Sequence, residues 1–120
     1  MARGDVLLVA LPASNRREEQ GTRPAIAVQT DLALSPMLML VPITSSVGAL
    51  RFPFTVKIEP SATNGLNLTS IAMVFQLRAI DPKPIVRKIG ELEPEYLAQI
   101  DAEIWQMLKP PDLQGLEDEK

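Results

Sequence analysis

The sequence predicts a small, mainly β (α+β) domain: five or six short strands bent into a barrel, with one amphipathic helix plugging or flanking it. Three observations carry this. Short apolar runs rich in β-favouring residues recur along the chain, separated by clusters of Pro, Gly, Ser and Asn. Only one stretch, near the C-terminal end, has a helical period. The chain has 120 residues, enough for one core and short for two. With Pro at 11 and Gly at 6, many chain reversals are expected.

The first strand is DVLLVA, Asp5 to Ala10, closed by the turn cluster LPASN. A polar loop, Pro12 to Thr22, carries Arg16, Arg17, Glu18 and Glu19 and ends at Gly21. PAIAVQ, Pro24 to Gln29, reads as the second strand, with Pro24 first, where no ladder donor is needed. MLMLVPI, Met37 to Ile43, is nearly all apolar and so expected to be buried on both faces; its Pro42 implies a strand end, an edge or a bulge. After the polar loop TSSVGALR, FTVKIE alternates: Phe54, Val56 and Ile58 on one face, Thr55, Lys57 and Glu59 on the other. Asn64-Gly65 is a strong turn signal. SIAMVFQLRAI, Ser70 to Ile80, is long enough for one bent strand or two, and VRKIGEL gives a last strand.

In the helix, Pro94 suits the first turn and Glu93 and Glu95 complement the positive dipole end. Leu97, Ile100, Ile104, Met107 and Leu108 repeat at helical spacing, and Pro110-Pro111 stops the run. One domain over residues 1–109 is expected, followed by an acidic, frayed tail from 110 to 120. Of the five aromatics, Phe52, Phe54, Phe75, Tyr96 and Trp105, most should be core.

Composition narrows the chemistry. With no His and no Cys, the chain has no Cys/His zinc site, catalytic Cys or Ser-His-Asp triad. Acid-base work falls to carboxylates, Lys, Arg, Tyr or hydroxyls. Net charge is −3 overall but divided: residues 1–90 sum to +4 and residues 91–120 to −7. A basic body of this kind attracts phosphates locally. The opening apolar run of five residues is too short for a signal h-region of roughly 7–15. No stretch approaches the ~20 apolar residues of a membrane span. A cytoplasmic protein without membrane association is therefore expected.

Arg23, fixed against Pro24, has two readings. One is a solvated arginine neutralised by Glu18 or Glu19. The other is a guanidinium that grips a phosphate bidentately, with less freedom to lose because Pro24 restricts its backbone. Thr44 and Ser45 either cap a turn or donate to phosphate oxygens. Glu18 and Glu19 are solvated charges or candidates for a general base. Arg78, a lone charge in an apolar run, must find a partner, a substrate or the surface. Phe52 is the best placed ring for stacking on a base.

Taken in order, these pieces resemble the MazF/PemK (Kid) family of type II toxins, which are sequence-specific endoribonucleases. RGDVLLVALP resembles the family's opening strand, EEQGTRPAIAVQ its Arg-Pro strand and VPITSS its central strand end. NGLNLTSIAMVFQLRAID resembles its Gly-Leu turn and Gln-x-Arg segment, and KIGELEPEYLAQIDAEIWQML its last strand and helix. The resemblance runs from about Arg3 to Leu108. It implies an SH3-like barrel of five to seven strands, a homodimer, a groove for single-stranded RNA and a cognate antitoxin that competes for that groove. It implies cleavage without metal or other cofactor: the 2′-hydroxyl attacks the neighbouring phosphate and leaves a 2′,3′-cyclic phosphate and a 5′-hydroxyl. Carried over by position, Arg23 matches the catalytic arginine and Thr44 the phosphate-binding threonine, with Ser45 beside it. Glu18, or Glu19, matches the loop glutamate proposed as base. Arg16, Arg17, Arg51, Phe52, Gln76 and Arg78 fall where substrate contacts are expected. In the Kid branch an Arg and an Asp act as acid and base at slots that here hold Met73 and Phe75, so that version of the mechanism is closed to this chain. The alternatives are a non-catalytic toxin like the gyrase-binding CcdB proteins, or an RNA-binding module that does not cleave.

Overall fold

The structure is a computed structural model and describes residues 2–10, 21–30 and 37–111. Among these residues seven strands form one sheet: β1 (Asp5–Ala10), β2 (Thr22–Ala27), β3 (Leu38–Thr44), β4 (Thr55–Ile58), β5 (Ser70–Met73), β6 (Arg78–Ile80) and β7 (Ile85–Glu91). One helix, α1 (Pro94–Leu108), follows. The strand order is β4-β5-β3-β2-β1-β7, with β6 also on β3, and every pairing is antiparallel. The mainly β class with a C-terminal helix is as the sequence predicts.

Two apolar sets alternate through β1, β2 and β3. Val6, Ile26, Val41 and Ile43 face one core, which is completed by Val56, Ile58, Ala72, Val74 and Ile100. Leu7, Val9, Ala25, Ala27, Leu38 and Leu40 face the other, against which Ile80 and Ile85 pack. A period of two places neighbours on opposite faces, so strands buried on both sides read as unbroken apolar runs. The expectation of double burial for the third strand is met from Leu38 onward, whereas Met37 before it is exposed.

One choice the sequence left open is decided, and two details differ from the sequence reading. Ser70 to Ile80 is two strands, because a 3-10 turn at Val74–Gln76 breaks the run. Pro42 lies inside the inner strand β3, opposite Ala25, rather than at an end or edge. The far side of β3 explains it: β6 pairs with Leu38 to Leu40 and β5 with Ile43 and Thr44, so Pro42 falls in the gap between the two partners. A residue without an N–H is tolerated there. Thirdly, β2 begins at Thr22, so Arg23 is a strand residue opposite Val9 and Pro24 is the third residue, not the first.

Among the described residues the sheet does not close by pairing β4 with β7. The turn that follows β4 bridges them instead: the Glu91 N–H donates to the Thr63 carbonyl at 2.8 Å. Bulges in the β1–β7 pairing, near Val6 and Leu8, help the sheet curl.

Helix α1 spans the predicted residues and covers the first core. Ile100 is fully buried, with Tyr96, Leu97, Ile104 and Met107 partly buried around it. Burying a side chain of this size contributes about 1.5–3 kcal/mol. Polar ties fix its angle: Arg3 pairs with Asp101, and the Glu59 N–H donates to the Tyr96 hydroxyl at 3.1 Å. Leu108 is a correction, since it is 62% exposed. So are the aromatics: none is fully buried, and Trp105 is 63% exposed on the outer face of α1.

Candidate functional site

A cleft of about 410 Å3 opens between the start of β2, the end of β3 and the segment from Gly65 to Ser70. Arg23, Thr44 and Ser45 all line it. They meet because β2 and β3 are antiparallel neighbours in the register Ala25 to Pro42, which sets the first residues of one beside the last of the other. Arg23 is the only charged side chain among the described lining residues. The Thr44 hydroxyl accepts a hydrogen bond from the Ser46 N–H at 3.1 Å. The turn-capping reading of Thr44 is met, and a hydroxyl that accepts in this way still carries a proton of its own. Ser45 is exposed beside it.

The opposite wall is built by a different logic. Asn64 is fully buried and uses its whole side chain. Its Nδ2 donates to the Glu59 carbonyl and to Glu93 Oε1, both at 3.0 Å. Its Oδ1 accepts from the Ser61 N–H at 3.1 Å and the Leu66 N–H at 3.0 Å. The Ser61 hydroxyl donates to Glu93 Oε2 at 2.6 Å. Burial works against the charge on Glu93, but the hydrogen bonds from Ser61, its own backbone N–H and Asn64 prevail and hold its carboxyl below the ordinary value. Glu93 is the residue before α1 and makes no side-chain capping bond; its carboxylate ties the helix start to the turn. Two glycines complete the lock. A Cβ at Gly65, whose φ is +74°, would overlap the Ile89 carbonyl, and one at Gly90 would overlap the Asn64 backbone. The turn thus lies directly on β7, and Asn67 and Leu68 beyond it, with Ser70 at the start of β5, line the cleft.

A second group lies on the 3-10 turn after Ser45, Val47–Arg51. The Arg51 guanidinium sits 4.5 Å from the centre of the Phe52 ring, and Phe52 meets Phe75 with centroids 5.2 Å apart. Phe54 follows in a left-handed conformation, φ 60°, uncommon for a bulky residue; its carbonyl accepts from the Phe75 N–H at 3.3 Å. Phe75, in the slot where the Kid branch has a base, is therefore a packing partner of Phe52. Val47, Leu50 and Phe52 are all exposed.

Gln76 and Arg78 bond each other at 3.3 Å, and neither lines the cleft. Arg78 answers the question of a charge in an apolar run by lying exposed at the surface. Arg16, Arg17, Glu18 and Glu19 lie outside the described residues; the chain resumes at Gly21, on the rim of the cleft. No group of three or more metal-ligating side chains occurs among the described residues. No helix there is long and apolar enough to cross a membrane. Sequence reasoning overlooked the Asn64–Glu93 lock and Asn67. The Asn-Gly pair was the available signal, and it was spoken for by the turn it makes.

A small, curled β-sheet with a C-terminal helix and an arginine–hydroxyl cleft at its edge defines an SH3-like barrel protein. The chain belongs, more narrowly, to the PemK-like, MazF-like toxins of type II toxin-antitoxin systems, whose family model matches residues 2–108. It is 31% identical over 108 residues to Endoribonuclease MazF9 of Mycobacterium tuberculosis, covering 84% of this chain and 90% of that one. It is 29% identical over 101 residues to Endoribonuclease EndoA of Bacillus subtilis, covering 82% and 86%. Among solved structures, MazF from Deinococcus radiodurans superposes with a TM-score of 0.71 at 18% identity, over 92% of this chain and 97% of that one. An endoribonuclease from Mycobacterial species, in complex with its cognate antitoxin, gives 0.71 at 19% identity, over 93% and 98%. At these identities the structures speak for the fold.

Proposed function

We propose that this toxin is a metal-independent endoribonuclease that cuts single-stranded RNA, chiefly mRNA, in the cytoplasm, and that it works as a homodimer. The supporting observation is the convergence of Arg23 in β2, Thr44 at the end of β3 and Ser45 just after it on one cleft. In the reaction the 2′-oxygen attacks the adjacent phosphorus while its proton passes to a base. The bond from phosphorus to the 5′-oxygen breaks, and that oxygen takes up a proton. The products are a 2′,3′-cyclic phosphate and a 5′-hydroxyl. Arg23 grips the non-bridging oxygens and offsets the charge that grows on them; fixed donors aimed at developing charge usually lower such barriers more than any other device. Thr44 donates its hydroxyl proton to the same phosphate. Glu18 or Glu19 takes the 2′-hydroxyl proton. The named relatives are endoribonucleases, and Met73 and Phe75 leave the chain no Kid-type acid and base.

The antitoxin is a protein whose acidic segment occupies the basic cleft and competes with RNA. An endoribonuclease of the same fold has been solved with its cognate antitoxin.

Incubation with a long unstructured RNA in EDTA tests the reading. Fragments with cyclic-phosphate ends are expected. Arg23→Ala should lower the rate about 100-fold or more with an unchanged circular-dichroism melt. A folded wild type that yields no such ends from any RNA overturns cleavage and leaves a binding toxin. Equal activity in Arg23→Ala removes Arg23 from the mechanism.

A further inference from the structure

The segment from Ser61 to Ser70 uses two asparagines in opposite ways. Asn64 is buried and all four of its side-chain hydrogen-bonding positions are filled by Glu59, Glu93, Ser61 and Leu66. Asn67, three residues on, is exposed at the cleft, and its carboxamide has no partner among the described residues. Beside it Leu68 is 62% exposed, an apolar surface at the cleft. The backbone that carries both is held by the Asn64 network and by contact with Gly90.

Across the cleft stand a guanidinium and a hydroxyl, groups that position a phosphate but carry no sequence information. A volume of about 410 Å3 lies in the range of small-ligand sites, roughly 300–1,000 Å3. A nucleotide whose phosphate rests on the strand wall therefore has its base directed at the turn wall. A carboxamide offers a donor and an acceptor side by side, the pattern that pairs with a base edge at two points. In single-stranded RNA such edges are open. Leu68 gives the face of the base an apolar neighbour. Discrimination needs that carboxamide at a fixed distance from the phosphate site, and the locked turn supplies this.

Resting on the reading of the cleft as an RNA site, we propose that Asn67 is a specificity-determining residue. Its carboxamide reads the edge of a base whose phosphate is held by Arg23 and Thr44, and Glu93 acts as the positioning residue for it through Asn64.

The test profiles cleavage across a randomised RNA pool and, in parallel, binding of oligonucleotides made uncleavable by 2′-deoxy substitution. Wild type, Asn67→Ala, Glu93→Ala and Glu93→Gln are compared. Asn67→Ala is expected to lose about tenfold discrimination at one nucleotide position while total cleavage falls less than that. Glu93→Ala should blur the same position. Glu93→Gln should restore it, since the amide can still accept from Asn64 and donate to Ser61; a purely stabilising role would not track that one position. A profile for Asn67→Ala that superimposes on wild type overturns the proposal. If wild type binds RNA with a base preference but does not cut, cleavage is refuted and the effect of Asn67→Ala on the preference still decides the matter. If it neither binds nor cuts, both readings fall.

Discussion

Strands position one wall of the cleft and a locked turn positions the other, and the two walls tolerate change differently. On the strand wall, Arg23 and Thr44 are carried by backbone ladders, with Ser45 just beyond the end of β3, so the chemistry lies in the side chains. On the turn wall, Asn64, Gly65, Gly90 and Glu93 contribute shape, and only Asn67 and Leu68 beyond them face outward as side chains with nothing else to do. A site can thus separate groups that react from groups that hold a distance. Substitution on the first wall should strike activity, and substitution in the buried frame of the second should strike stability.

The sharpest way to break this contrast is with glycine. Gly65→Ala and Gly90→Ala force a Cβ into the Ile89 carbonyl and the Asn64 backbone, and each should destabilise by about 3–4 kcal/mol or more in urea titrations. Gly21→Ala, on the strand wall with nothing within 4 Å of the new Cβ, should stay within about 0.5 kcal/mol. Next comes the buried amide. Asn64→Ala strands the Ser61 and Leu66 donors and should cost about 2–3 kcal/mol. Thr44→Val removes only a turn bond, about 1 kcal/mol by the same measurement, while RNA cleavage falls by at least tenfold. The smallest effect is in acid. The folded carboxyl of Glu93 lies below its ordinary 4.5, so its contribution is present above that pH and is lost as pH falls through the lower, folded value. Glu93→Gln should flatten that part of the melting-temperature profile between pH 7 and pH 3 by lowering its neutral end slightly toward the acid one.

Much of the fold was legible because periodicity is local. The unbroken run of β3, the alternation through Val56 and Ile58 and the helical spacing of Leu97, Ile100 and Ile104 each follow from one element burying one or two faces. The break at Val74–Gln76 was not, since an apolar run does not say where it bends. Pro42 misled for a related reason: its tolerance depends on where β6 ends and β5 begins, which is a fact about partners. The meeting of Arg23 with Thr44 depends on the β2–β3 register and came through the order of motifs rather than from spacing. Glu93 before Pro94 reads as a helix-dipole residue, and Asn64 before Gly65 reads as a turn residue. Their bond spans 29 positions and leaves no local trace.

Trp105, the single tryptophan, has a consequence for anyone who studies this protein by light. It stands 63% exposed on the outer face of α1, so its emission begins near the wavelength of a hydrated indole and moves little when the chain unfolds. The same exposure makes it responsive to cover. A partner that settles on that face of the helix will shift the emission to the blue, while one confined to the cleft will leave the colour as it was.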